Sequence, residues 1–387
     1  MDSRSELFTS FLREQKLHGW FSWRPDELVL QLGYYPHWGL SFLLSLSDGE
    51  KILFVPEPEP PVSLSGDVRI VSYPWGDIRC ADPFSVLNSS VQAMLNQRGI
   101  ARTGVGCLRS RGRSSLPAAF AEEAPLPEAE IFRLTRDMTD DPISESRFLE
   151  LYLYKTREEI ERVRLANQVA QMGLEAWRSA LVPGTTEAEA AAKAESAVLS
   201  QTGRGGVDTA RAWAMVQSGP NTANAGRFNR SSGRRLEQGD LVLIEMGTCV
   251  NGYWSDLTRT ETVGEASSFA LDLLHAVDQS QKAAIQSICP GVSAGEVDAV
   301  ARDALRKAGL GDYFTHALGH HVGFRYHDPG FTIAPGTRDV LQQGMVITIE
   351  PGAYEPTMLT GARLEDNVAI NDHGVEILSA ADERQIA

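Results

Sequence analysis

The sequence predicts an α+β protein in two parts, a smaller α/β unit over residues 1–150 and a larger unit over 151–387 built on an internal duplication. Three observations predict this. The run PGTTEAEAAAKAESAVL, beginning at Pro183, matches PGVSAGEVDAVARDAL, beginning at Pro290: each has Pro-Gly, a Thr or Ser three residues after the Pro, a Glu six residues after it, and an Ala-rich stretch. Each copy follows a long segment of helical periodicity, 157–181 or 269–288, and precedes apolar runs that end in acids. A break at 136–146, RDMTDDPISES, separates the two parts, and Thr156-Arg-Glu-Glu159 then reads as a capping box that opens the second.

In the first part, 5–15 has helical spacing of Leu7, Phe8, Phe11 and Leu12, and 19–23 reads as a strand. The runs 41–46 and 51–55 flank Asp48-Gly49 and make a hairpin. Further strands are expected at 68–73, 104–107 and 130–133. Residues 83–98 read as a helix with Asp82 as N-cap and Pro83 in its first position. No motif here carries obvious chemistry, although Tyr34, Tyr35, His37 and Trp38 form a dense polar-aromatic cluster.

The second part is organised around 241–262, LVLIEMGTCVNGYWSDLTRTET. The apolar run 241–244 leads into Glu245, and Asn251-Gly252 separates it from a second extended run carrying Asp256. Asn-Gly between β-formers is the strongest short-range hairpin signal. With those two residues as the turn, Glu245 falls opposite Thr258, and Asp256 lies one diagonal step away on the same face, at roughly 7–8 Å. An acid that follows Leu-Val-Leu-Ile is costly unless it is paired or binds a cation. The second copy repeats the device: Glu350 follows the apolar run VITI, and Glu365 lies in GARLEDNVAI. Two such copies place four carboxylates about one pseudo-two-fold axis, which is how a duplication builds a shared binuclear site.

Four of the eight histidines, His316, His320, His321 and His327, fall in the Gly-rich aromatic segment HALGHHVGFRYHDPG between the two acid pairs. One neutral imidazole with four carboxylates is a hard, oxygen-rich donor set that suits Mn²⁺, Fe²⁺, Co²⁺ or Zn²⁺ better than a soft metal.

Composition narrows the class. A length of 387 residues with 42% hydrophobic and 22% charged residues is ordinary for globular domains with a sizeable core. A formal charge of −15 argues against nucleic acid or an anionic membrane surface as partner. Cys80, Cys107, Cys249 and Cys289 are widely spaced with no CxxC, so neither a zinc ribbon nor a disulfide framework is indicated. The polar N-terminal stretch and the lack of long apolar runs lead to the expectation of a cytoplasmic protein.

On the motifs GYWSDLTRT, GHHVGFRYHDPG, GMVITIEPG and GARLEDN, the chain from about residue 155 onward resembles the pita-bread metallohydrolases: methionine aminopeptidase, aminopeptidase P, prolidase and creatinase. Residues 1–150 look similar to the creatinase-like N-terminal domain of the proline-specific members. The resemblance implies two divalent ions, Mn first with Co, Zn or Fe as alternatives, held by Glu245, Asp256, His320, Glu350 and Glu365, with Asp256 and Glu365 bridging. It implies that Glu350 is the general base towards a metal-bridging water. It also implies catalytic and substrate-binding roles for His327 and His316, and a substrate-binding role for Arg363. The implied function is an Xaa-Pro dipeptidase or Xaa-Pro aminopeptidase acting on small peptides. The implied assembly is a homodimer in which the N-terminal domain of one subunit borders the other's site, with Tyr34 to Trp38 the segment expected to take part.

Three positions depart from the family pattern. The first ligand is usually Asp, and here it is Glu245. An upstream histidine has no counterpart, because 215–244 contains none and Arg227, Phe228 and Asn229 occupy its neighbourhood. His321 stands where the pattern GHG has its second Gly. These departures keep two other readings open: a creatinase-type hydrolase of a small C–N bonded metabolite, and a binding module that has lost catalysis.

Overall fold

The computed structural model describes residues 3–38, 40–59, 64, 68–75, 79–109, 128–225, 230–372 and 374–379. Two compact units divide the chain, Met1–Tyr152 and Leu153–Ala387.

The first unit opens with α1 (Arg4–Glu14), where Ser3 and Glu6 form a reciprocal capping box and Phe8, Phe11 and Leu12 turn inward. Phe11 meets Trp20 edge-on, and Trp20 stacks on Phe148 with ring centroids 4.6 Å apart. β1 (Gly19–Ser22), α2 (Pro25–Leu32), β2 (Phe42–Leu46), β3 (Lys51–Pro56), β4 (Val68–Tyr73), α3 (Pro83–Gln97) and β5 (Val105–Cys107) follow. The strands form one mixed sheet in the order β4-β3-β2-β1-β5. The hairpin expected about Asp48-Gly49 is β2–β3, with Phe42 opposite Phe54 and Ser45 opposite Lys51. Asp82 caps α3 as expected, accepting from Ser85 N, with Pro83 in its first turn. The cluster at Tyr34 to Trp38 is held by one acid: Glu59 accepts from the Tyr34 hydroxyl at 2.6 Å and from the backbone N–H groups of His37 at 2.7 Å and Trp38 at 3.2 Å. Tyr35 and Trp38 remain exposed.

Two expectations in this unit need correction. Residues 130–133 form part of the helix α4 (Glu128–Thr135), not a strand. Ile131 and Leu134 are three apart and both face the core, and the Thr135 hydroxyl donates back to the Ile131 carbonyl at 2.8 Å, both features of helical periodicity. The break at 136–146 hides the start of α5 (Pro142–Glu150), whose cap Asp141 and first-turn Pro142 repeat the Asp-Pro signal of α3.

The second unit contains α6 (Arg157–Arg178), α7 (Glu187–Leu199), β6 (Ala210–Ser218), β7 (Leu241–Val250), β8 (Tyr253–Thr262), α8 (Ser268–Ser287), α9 (Ala294–Lys307), β9 (Val346–Ile349), β10 (Gly352–Glu355), β11 (Thr360–Arg363), β12 (Asp366–Asn371) and β13 (Gly374–Ile377). Thr156 caps α6 in the expected box with Glu159. The duplication extends to the docking of each copy. Thr186 boxes with Glu189 to start α7, and Ser293 boxes with Glu296 to start α9. Gly184 N donates to Leu236 O, and Gly291 N donates to Leu341 O, both at 2.9 Å. Both glycines sit at positive φ, 94° and 98°, where a side chain would be strained. Each copy has its own apolar core. One packs α6 and α7 on β6–β7–β8, and the other packs α8 and α9 beneath β9, β11 and β12. Among the described residues, no helix is long and apolar enough to cross a membrane.

Candidate metal centre

The hairpin that organises the site forms as its sequence requires. Asn251 and Gly252 both take positive φ, 51° and 85°, the conformation a type I′ turn demands. The β7–β8 register pairs Glu245 with Thr258 and Gly247 with Asp256, so Glu245 and Asp256 share a face. The second copy joins at Thr258, which bridges to Glu365: Glu365 N donates to Thr258 O at 3.0 Å, and the Thr258 hydroxyl donates to Glu365 Oε2 at 2.7 Å. One step along, Asp256 N donates to Asn367 Oδ1 at 3.0 Å and Asn367 Nδ2 donates to Asp256 O at 2.7 Å. The histidine segment runs beside β9, with Thr348 N donating to His320 O and Glu350 N to Leu318 O, both at 2.8 Å.

This threading gathers Asp256, His320 and His327 into one group, and His320, Glu350 and Glu365 into another, with the ligand atoms in each group within 4.8 Å of one another. His320 Nε2 lies 3.5 Å from Asp256 Oδ2 and 3.7 Å from Glu350 Oε1. Its Nδ1–H donates to the His321 carbonyl at 2.9 Å, which leaves the Nε2 lone pair free for a cation.

A divalent metal fits this cluster. Asp256 Oδ1 and Glu365 Oε1 are buried carboxylate oxygens with no hydrogen-bond partner among the described residues. Burial, and then repulsion from Glu245 and Glu350, drives the Asp256 carboxyl well above its ordinary range. Burial, then Asp256 and Glu245, does the same to Glu365. Glu350 is pushed up to about 8, by burial first and by Glu365 second. Carboxylates crowded in this way either take up protons or share a cation.

The other sequence-selected residues lie around this cluster. Glu245 belongs to neither group: it accepts from the Tyr326 hydroxyl on Oε1 and from Arg363 Nη2 on Oε2. Arg363 Nη1 also donates to the Tyr354 hydroxyl at 2.7 Å, and that hydroxyl lies 2.9 Å from His316 Nε2. His316 Nδ1 donates to the Ala317 carbonyl at 2.8 Å, so Nε2 accepts from Tyr354. Burial, with Arg363 second, pushes His316 down to about 3. Burial, with His320 second, pushes His327 down to about 2, so both rings are neutral at neutral pH. His327 lies between the ring of Tyr326, stacked at 4.7 Å, and that of His320 at 3.8 Å. His321 points elsewhere, its fully buried ring edge-on to Phe331 at 4.7 Å. Arg227, Phe228 and Asn229 lie outside the described residues.

Sequence reasoning missed Tyr326, Tyr354, Thr258 and Asn367 as members of the site. The signal available for Tyr326 was its place directly before His327, and for Asn367 its place two residues after Glu365.

A duplicated α/β unit whose two halves bring three carboxylates and a histidine together has the pita-bread architecture of metal-dependent hydrolases. Residues 161–372 match the model of metallopeptidase family M24. The chain belongs to that family. It is 37% identical over 241 residues to the Xaa-Pro dipeptidase of Pyrococcus furiosus, covering 62% of this chain and 65% of that enzyme. It is 34% identical over 274 residues to the Xaa-Pro dipeptidase of Pyrococcus horikoshii, covering 70% of this chain and 73% of the relative. The solved structure of the Pyrococcus furiosus prolidase superposes with a TM-score of 0.73 at 28% identity, covering 97% of this chain and 100% of that one.

Proposed function

We propose that the protein is a divalent-metal-dependent peptidase that cleaves the peptide bond next to proline in short peptides. The observation that carries this is the gathering of Asp256, His320 and His327 in one ligand group and of His320, Glu350 and Glu365 in another, with Asp256 Oδ1 and Glu365 Oε1 buried and without a hydrogen-bond partner among the described residues. The proline preference is supported by the two Pyrococcus relatives, both named Xaa-Pro dipeptidase.

Asp256, His320, Glu350 and Glu365, with Glu245 beside them, would hold the metal, and the hard donor set favours Mn²⁺. When bound, such an ion lowers the pKa of a water to near neutrality and offsets charge on the carbonyl oxygen. Glu350 accepts the proton of the attacking water on its carboxylate and returns it to the leaving nitrogen. His327, held neutral, donates one ring N–H to the substrate carbonyl. His316, fixed in one tautomer by Ala317 and Tyr354, borders Glu350 with Nδ1 3.9 Å from Oε2. Arg363 keeps Tyr354 oriented towards it.

The test is a panel of an Xaa-Pro dipeptide, an Xaa-Pro-Yaa tripeptide and creatine, given to metal-stripped protein with Mn²⁺, Co²⁺ or Zn²⁺ restored. Metal-dependent cleavage next to proline is expected, and the dipeptide-to-tripeptide ratio separates dipeptidase from aminopeptidase. Cleavage of creatine alone would replace this reading with a small-metabolite hydrolase. The proposed assembly is a homodimer, which sedimentation equilibrium measures directly, and a monomer at all concentrations would refute it.

A further inference from the structure

We propose that Arg302, in α9, is a positioning residue: it holds His316 beside Glu350 by gripping the backbone that carries the imidazole. This rests on the reading of His316 as a group that borders the reacting atoms.

α9 buries Val297, Ala301 and Leu305 in the core of its copy, which makes it a rigid base. Asp298, also buried, lies four residues before Arg302 on that helix. It accepts from Arg302 Nε at 2.7 Å and from Nη2 at 3.1 Å, and this two-point contact sets the plane of the guanidinium. The outer nitrogens then reach the segment that leads into the centre: Nη1 donates to the Phe314 carbonyl at 2.7 Å and Nη2 to the His316 carbonyl at 2.6 Å. The guanidinium also covers the Phe314 ring, 4.1 Å from its centroid, and that ring meets the His316 ring edge-on at 5.0 Å. One side chain thus fixes both the main chain of His316 and the ring packed against its imidazole. The imidazole nitrogens are fixed separately, Nδ1 by the Ala317 carbonyl and Nε2 by the Tyr354 hydroxyl, which Arg363 holds. A planar fork of five donors can span two carbonyls while keeping its carboxylate, and a lysine ammonium, a single point charge, cannot. His316 belongs to neither ligand group, so Arg302 acts on the geometry around the substrate and leaves metal affinity alone.

The experiment introduces Arg302→Lys into the Mn²⁺-loaded full chain, once alone and once in a His316→Ala background. Alone, it is expected to lower kcat/KM for an Xaa-Pro dipeptide by about 10- to 100-fold, the effect of a small misplacement of a positioned group. Mn²⁺ affinity, measured by calorimetry, should change by less than about 3-fold, because no ligand loses its support. In the His316→Ala background the same substitution should cost less than about 3-fold, since the arginine acts through that histidine. An unchanged kcat/KM would overturn the inference, and so would an equal loss in both backgrounds, the mark of a merely structural role. If Arg302→Lys does not fold, the paired change Asp298→Asn with Arg302→Met, which leaves no buried charge, takes its place. If the unaltered protein cuts no Xaa-Pro peptide, the peptidase reading fails and the ¹⁵N resonances of His316 decide this inference separately. One neutral tautomer in the unaltered protein and an average of two in Arg302→Lys would support it, and identical spectra would overturn it.

Discussion

Thr258 carries no charge and touches no reacting atom, yet it orients Glu365 through one hydrogen bond of 2.7 Å and joins the two halves of the site through a backbone bridge. Removing only its hydroxyl, in Thr258→Val, is expected to weaken Mn²⁺ binding about 10- to 100-fold, the usual effect of losing a group that orients a ligand. Calorimetric titration of folded variant protein checks this, and an unchanged affinity would show that Glu365 needs no such support. Glu350→Gln separates chemistry from charge. Loss of the proton acceptor is expected to lower kcat by about 100-fold or more. The metal-free variant should also be more stable than the unaltered protein at pH 8, because it no longer carries a carboxyl pushed up to about 8 by burial and by Glu365.

At the scale of elements, the segment carrying the histidines is held from below by an ion pair between Lys155 and Asp328, 2.8 Å long and with both side chains fully buried. Asp328 also accepts from Arg325 N at 2.7 Å, and its own N–H donates to the His321 carbonyl that orients His320. Lys155→Met leaves a buried carboxylate without its countercharge, so it is expected to cost about 3–5 kcal/mol in urea denaturation. Adding Asp328→Asn should recover part of that loss, and a single variant of unchanged stability would contradict the assignment. Elements with a strong local code were legible in the sequence. The β7–β8 register follows from Asn251-Gly252, and the starts of α7 and α9 follow from Thr186 and Ser293. The short helix α4 was misread as a strand because its apolar residues, Ile131, Phe132 and Leu134, form a cluster too brief to separate periods of 2 and 3.6. The bonds of Glu245 to Tyr326 and Arg363 join residues 81 and 118 positions apart. No local pattern encodes such partners, so the hydrogen bonds around Glu245 were not legible in the sequence.

The whole molecule carries its metal requirement as a dependence of stability on pH. Between the ordinary glutamate pKa of 4.5 and about 8, the folded protein keeps Glu350 protonated while the unfolded chain releases the proton. Folding therefore takes up protons there, and stability falls as pH rises through that window. Asp256 and Glu365, both raised, act in the same direction. His316 and His327 are lowered, so they add stability as pH rises, but only up to the ordinary histidine value of 6.5. Above pH 6.5 these histidines add nothing further, and the raised carboxylates set the direction up to about 8. The Tm of metal-free protein is thus expected to fall between pH 6.5 and 8, and the increase on adding Mn²⁺ should be larger at pH 8, where the ion competes with fewer protons. A metal-free Tm that holds or rises across this range would contradict the cluster's electrostatics.

The most direct test of the central claim is the rate of Xaa-Pro dipeptide hydrolysis by protein first stripped with a chelator and then given Mn²⁺, beside a His320→Ala variant treated in the same way. The account predicts no hydrolysis after stripping, recovery on adding Mn²⁺, and little recovery in the variant. Hydrolysis that survives stripping, or that returns equally without His320, would contradict a metal centre built on Asp256, His320, Glu350 and Glu365.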